Sequence, residues 1–188
     1  MGLGITLKVM SGDRIDIHGK SFYNQSNAGG SGANSPLDPL ALLNGLLGTP
    51  TGSSAAVSHG GVTGTQLNGI SGIASGLTTF ISTQATNTAS APSVPRAYIN
   101  YIFFDEQFKV AGSGFSKVGA NGVLKSHFSE LQNLIVPKNG YVFIYASNES
   151  PVPVYFDNLQ VVHSRSPLLE ETHYYPFVPR LRDDDGGD

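Results

Sequence analysis

The stretch from Lys138 to Val162, KNGYVFIYASNESPVPVYFDNLQVV, decides how the rest of the chain must fold. It is a run of aromatic and β-branched residues, opened by Asn139-Gly140 and interrupted by Asn148-Glu149-Ser150-Pro151, which predicts two strands of one antiparallel hairpin. From Tyr141 to Ala146 both alternating sets are apolar, as in a central strand covered on both faces. In the second strand Val152, Val154 and Phe156 share a face, whereas Leu159 and Val161 have the opposite parity. A parity switch within a strand needs one extra residue, which places a β-bulge at Asp157-Asn158. Upstream, Leu131 to Val136 reads as a further apolar strand, folded back onto Tyr141 by Asn139-Gly140 as a type I′ turn.

Working outward, Ile5, Leu7 and Val9 alternate with polar positions, Ser11-Gly12-Asp13 turns the chain, and Ile15 and Ile17 resume the alternation up to Phe22-Tyr23. This predicts a second hairpin, with strands at 5–10 and 14–23. Ala97 to Phe104 is another strongly apolar strand, followed by a turn at Asp105-Glu106-Gln107, and a short strand is expected near 107–110. Gly112, Gly114, Gly119 and Gly122 mark a loop, and 123–136 reads as a strand. With 141–147 and 152–163, the count is about seven or eight strands with no helix between them after residue 97, the pattern of an antiparallel β-sandwich.

Between these strand groups the composition changes: from Ser21 to Pro95, Asp38 is the sole charged residue, and Gly, Ser, Thr, Ala and Asn dominate. Such a segment buries little by itself. One island, 36–47, predicts a short helix with Ser35 as N-cap, Pro36 in the first turn and Leu40, Leu42, Leu43, Leu46 and Leu47 following. A second, Leu67 to Ala85, spaces Ile70, Ile73, Leu77, Phe80 and Ile81 as a helix would, although each internal glycine costs roughly 1 kcal/mol against alanine. Neither island has the basic face of a membrane-surface helix, and both read as a lid packed on the sandwich. The expected layout is therefore a sandwich domain over 1–166 with an insertion at 24–95, then a linker and tail over 167–188.

Composition narrows the function classes. The chain has 188 residues and a net charge of −3, which gives no footprint for nucleic acid or an anionic membrane. It has no cysteine, hence no disulfide framework and no thiolate metal site. No run approaches a membrane span, and MGLGITLKVM lacks a basic region followed by an apolar block, so the chain reads as carrying no signal peptide of its own.

Candidate chemistry is sparse. His18, His59, His127, His163 and His173 show no zinc-type spacing. Asp105-Glu106 are strand neighbours that point to opposite faces, and a hydrolase would need Asp105, Glu106 or Glu130 to meet a second carboxylate across about 5–9.5 Å. No G-x-S-x-G is present. Asp157 and Asn158 offer oxygens of the kind a structural calcium takes, but one carboxylate is too few, and hydrogen bonds that fix the bulge are the expected role. No cofactor is implied. Tyr98, Tyr101, Tyr141, Tyr145 and Tyr155 lie on the predicted sheets; the sandwich needs such rings for its core and rims, yet Tyr98, Tyr101, Tyr145 and Tyr155, with Asp157 and Asn158 beside them, would also suit stacking on a sugar.

Three pieces carry a resemblance: LKVMSGD at 7–13, VYFDNLQV at 154–161 and LLEETHYYPF at 168–177. Together they resemble bacterial RHS/YD-repeat proteins, and in particular the jelly-roll-type module that precedes the RHS repeat-associated core, similar to galactose-binding-like and other carbohydrate-binding sandwiches. The likeness runs from residue 1 to about 177. Val178 to Asp188 departs from the family's pattern and reads as a polar tail with nothing to bury. The resemblance implies a non-catalytic structural or interaction module of a secreted or cell-surface protein. Its partners would be the rest of the RHS-type polypeptide, possible glycans being the alternative, with no nucleic acid and no membrane span. Tyr174-Tyr175-Pro176-Phe177 would dock on whatever follows.

Overall fold

The structure, a computed structural model, describes residues 3–25, 38–47, 64–70, 72–89 and 94–166. Two antiparallel sheets pack face to face as a β-sandwich, and helices cover the outer side of one of them. The strands are β1 (Gly4–Val9), β2 (Arg14–Phe22), β3 (Ala97–Asp105), β4 (Val110–Lys117), β5 (Lys125–Ser126), β6 (Leu134–Ile135), β7 (Gly140–Asn148) and β8 (Tyr155–Ser164). The larger sheet has the order β1-β7-β3-β4. In the smaller one β8 lies along one edge of β2, and β5 and β6 lie on it as well, at opposite ends of the strand.

None of the three predicted hairpins forms. β1 pairs with β7 while β2 pairs with β8, β7 and β8 lie in different sheets, and β6 pairs with β2 rather than with β7. At each of these joints the chain arches from one sheet to the other. The alternation that suggested hairpins is equally satisfied by an arch, because Val9 and Ile15 or Ile17 then face the same core from opposite walls. Side chains hold the first arch in this shape. Asp13 accepts the Met10 N–H at 2.9 Å, Gly12 N–H donates to the Val136 carbonyl, and Ser11 N–H donates to Asn139 Oδ1 at 2.8 Å. Asn139 is thereby committed to the neighbouring arch instead of a hairpin turn.

The bulge is where the parity switch puts it. His18 pairs with Gln160 and Lys20 with Asp157, so β8 carries one residue more than β2 between them, and Asn158 takes a left-handed φ of 54°. Phe156, Leu159 and Val161 consequently all turn inward onto the core. β7 is likewise covered on both sides: Val142 and Ile144 face the smaller sheet, Phe143 and Tyr145 the helices.

Two other segments depart from expectation. Gly112 and Gly114, expected in a loop, lie in the strand β4, whereas Gly119 and Gly122 lie in the loop that follows it; the turn expected at Asp105-Glu106-Gln107 is present, and Asp105 Oδ1 accepts the N–H groups of Gln107 and Lys109 there. Gly114 is tolerated in β4 because the Tyr101 ring lies across it; a Cβ there would sit 2.5 Å from the Tyr101 hydroxyl. The strand expected over 123–136 is broken into β5, a 3-10 turn at Phe128–Glu130 and β6, yet it still follows β2, through His127 N–H to the Gly19 carbonyl and Ile17 N–H to the Leu131 carbonyl.

The insertion between β2 and β3 supplies α1 (Pro39–Leu46), α2 (Gly64–Asn68) and α3 (Ile73–Ala89). Their apolar residues Leu42, Leu43, Leu46, Leu67, Ile73, Leu77 and Phe80 close over Ile102, Phe104, Phe143 and Tyr145, so the lid is part of the core. Helix α1 begins three residues later than expected: Asp38 is its cap, accepting the Ala41 N–H at 2.8 Å, and Pro39 takes the first position. A buried polar pin fixes α3, with Gln84 donating to Asn100 and Asn100 donating to Ser147 Oγ at 2.9 Å. Ser35, Pro36 and the 167–188 tail with Tyr174-Tyr175-Pro176-Phe177 lie outside the described residues.

Candidate binding face

Folding separates the tyrosines that the sequence grouped. Tyr98 and Tyr145 are 1% and 0% exposed, Tyr98 edge-on to Phe115 and Tyr145 stacked on Phe143 beneath the helices, so neither ring can meet a ligand. Burial raises the Tyr145 phenol, and the nearby Glu149 carboxylate adds to the shift. Tyr101 is half-buried against Phe103, and Tyr141 is stacked on Phe108. Tyr155 alone of this set is widely open, at 68%.

Tyr155 stands on the outward face of the smaller sheet, in register with Phe22. Alternation along β2 puts Arg14, Asp16, His18 and Lys20 on that same face, and β8 adds Asp157, Gln160 and Val162 opposite them. His18 is stacked on Phe128 of the 3-10 turn, with ring centroids 4.2 Å apart and planes 12° from parallel. Beside the His18/Phe128 stack is a shallow polar concavity lined by His18, Lys20, Ser126, Asn158 and Gln160, where the bulge breaks the ladder, and the cross-strand neighbours Phe22 and Tyr155 lie further along the same face. Asp157 Oδ1 accepts the Asn158 N–H at 2.8 Å and so helps to hold the left-handed residue. Of the residues singled out from sequence, Tyr155, Asp157 and Asn158 come together here. Phe22, His18, Lys20 and Gln160 were missed, although their shared parity was readable.

On this face His18 and Asp157 are titratable; four further groups, His127, Glu130, Asp105 and Asp13, lie elsewhere and are bound into the framework. His127, fully buried, bridges the sheets: its Nε2 is 2.8 Å from Ser21 Oγ on β2 and its Nδ1 2.6 Å from Ser116 Oγ on β4. Ser116 donates to Glu130 at 2.5 Å, and Glu130 pairs with Lys125 at 2.7 Å. With the Ser116 proton directed at Glu130, Nδ1 carries the imidazole hydrogen and Nε2 accepts from Ser21. The order Ser–His–Ser–Glu resembles a nucleophile relay on paper, but Ser21 is 2% exposed and has no room for a substrate. Burial, with Lys125 adding to it, pushes His127 down to about 4, against a smaller opposing pull from Glu130. Asp105 Oδ1 is engaged by its own turn, and Lys138 lies 3.8 Å from Oδ2.

A second latch joins the first arch to the end of β8. Asp13, 2% exposed, accepts from the N–H groups of Met10 and Ser166 and meets His163 Nε2 at 2.8 Å. Burial alone would raise its pKa; the hydrogen bonds from Ser166, Met10 and His163 outweigh it and bring it down to about 2. A carboxylate held below its ordinary 3.8 stabilises the fold above that value and loses the contribution as pH falls toward about 2. Asp13→Asn is therefore expected to lower stability by about 2 kcal/mol at neutral pH and to flatten the stability profile below about pH 4, as read by urea unfolding across pH. An unchanged acid limb in the variant would disprove this role.

Among the described residues no group of three His, Asp or Glu side chains gathers as a metal site, and no helix is long and apolar enough to cross a membrane. The fold and the face define the chain as an antiparallel β-sandwich with a helical cover and one mixed aromatic and polar sheet face. Comparison with known protein families, with curated proteins and with solved structures finds no match to it.

Proposed function

We propose that this chain is a non-catalytic interaction module, jelly-roll-like in the way β1 and β2, and β7 and β8, step between sheets, acting within a larger secreted or cell-surface polypeptide of the RHS/YD-repeat kind. One observation carries the reading. His127, Glu130, Asp13 and Asp105 are engaged in the sandwich's own hydrogen bonds, while the exposed Tyr155 and the amides of Asn158 and Gln160 are collected on the outer face of the smaller sheet. A module built this way offers a rigid surface and no reacting centre. VYFDNLQV, one of the pieces behind the resemblance, forms the edge strand of that face.

The test pairs turnover with stability. Wild type, Glu130→Gln and Asp105→Asn are assayed against a panel of nitrophenyl glycosides and esters and melted in parallel. Lower melting temperatures for the variants and no turnover by any of the three are expected. Turnover by the wild type that Glu130→Gln abolishes while keeping its far-UV circular dichroism would overturn the reading.

A further inference from the structure

We infer that the concavity on the smaller sheet, centred on the bulge at Asn158, is a binding site for a stretch of neutral oligosaccharide, with the Phe22/Tyr155 and His18/Phe128 pairs as its stacking platforms. The inference deepens the reading of the chain as an interaction module and rests on it. Geometry gives the first argument. Phe22 and His18 are four residues apart on β2, which at the rise of a strand separates the platforms by about 13 Å, more than a single sugar ring covers. Rings of this kind meet the apolar face of a pyranose, and the exposed Tyr155 has no hydroxyl partner among the described residues, which suits the sugar's edge.

The polar groups between the platforms give the second argument. Lys20, Asn158 and Gln160 make no side-chain hydrogen bond or ion pair with other described residues, whereas Asp16, on the same face, pairs with Arg14 at 3.4 Å and accepts the Asn133 N–H. Two carboxamides and an ammonium, donors and acceptors together, suit the vicinal hydroxyls of a sugar. Charge gives the third. Lys20 lies opposite Asp157 in the ladder and Arg14 beside Asp16, so the face has no excess of either sign to recruit a phosphate, a sulfate or an acidic chain. The bulge contributes rigidity: Asn158 is held at a positive φ of 54°, and its backbone N–H donates to Asp157 Oδ1, which fixes the backbone from which the carboxamide projects.

The full chain, isotope-labelled, is titrated by NMR with neutral tetra- and hexasaccharides of hexose and N-acetylhexosamine type, and with a sulfated hexasaccharide for comparison. Saturable shifts at Lys20, Ser126, Asn158 and Gln160 with a neutral ligand, weakened at least tenfold in both Tyr155→Ala and Gln160→Ala, are expected. No saturable shift with any neutral ligand, a response to the sulfated one only, or wild-type affinity in either variant would overturn the inference. Cleavage of an oligosaccharide in the same samples would instead overturn the non-catalytic reading, so the two failures are told apart.

Discussion

Gly140→Ala is expected to destabilise the protein by about 4 kcal/mol or more, combining backbone strain of about 1–3 kcal/mol with overpacking of similar size. Gly140 opens β7 at the point where the strand lies between β1 and β3, in register with Val9 on one side and Asp105 on the other. Its φ is 153°, and a Cβ built there would lie 2.1 Å from the Phe104 carbonyl oxygen and 2.7 Å from the Asp105 carbonyl carbon. Both obstacles are backbone of the adjacent central strand, so relief requires parting β3 from β7. Gly122 is the control, because its φ of 73° is also positive but nothing lies within 4 Å of the added methyl. Gly122→Ala should cost only the left-handed penalty of about 1–2 kcal/mol. Urea unfolding of the two variants checks the pair, and equal losses would show that the close approach at Gly140 is not the governing contact.

Acid should unfold the sandwich in a window set by His127. The ordinary histidine value is 6.5 and the folded value about 4, so the unfolded chain takes up a proton that the folded chain refuses. Stability is then complete above about pH 6.5 and falls by about 3 kcal/mol as the pH approaches 4. That is a large share of the 5–15 kcal/mol a domain typically has. The Asp13 latch acts in a lower window, below its ordinary 3.8, so the two are separable in one pH series. His127→Leu removes the titrating group and strands the Ser21 and Ser116 hydroxyls between the sheets. It is expected to lose about 1–3 kcal/mol at pH 7 and to abolish the slope between about pH 6.5 and 4. A slope that persists in His127→Leu would assign the acid sensitivity to another group.

Physically the molecule is held shut on one side and open on the other. The seam between β4 and the β5 segment is closed by Ser116, His127, Glu130 and Lys125, the last also donating to the Lys117 carbonyl at 2.6 Å. On the opposite side β1 and β8 are each the last strand of their sheet, and the face with Tyr155, Asn158 and Gln160 borders that side. The seam adjoins the exposed face: Ser126, next to Lys125, lines the concavity, and Phe128, in the same 3-10 turn as Glu130, stacks on His18, so the bonds of the seam hold one margin of that face in place. The helical cover contributes in the same sense, since Gln84 reaching Asn100 ties α3 to the central strand β3.

What the residues alone determined is local. The alternation around Tyr141–Ala146 specified a strand buried on both faces, the parity change across Asp157-Asn158 specified a bulge, and the leucine spacing after Asp38 specified a helix needing a surface to cover. Each follows from the periods of the backbone, which every residue feels from its chain neighbours. Which sheet each strand joins was decided only in three dimensions, because an arch and a hairpin present the same apolar positions and differ in the partner across the core. The binding face depended on that choice too: Tyr98 and Tyr145 were taken inward when the helices closed over them, and Tyr155 was left outside next to Phe22 once β8 settled against β2. His127 makes the same point, since it is separated from Ser21 by more than 100 residues of chain and nothing in the spacing of the histidines announces the bond.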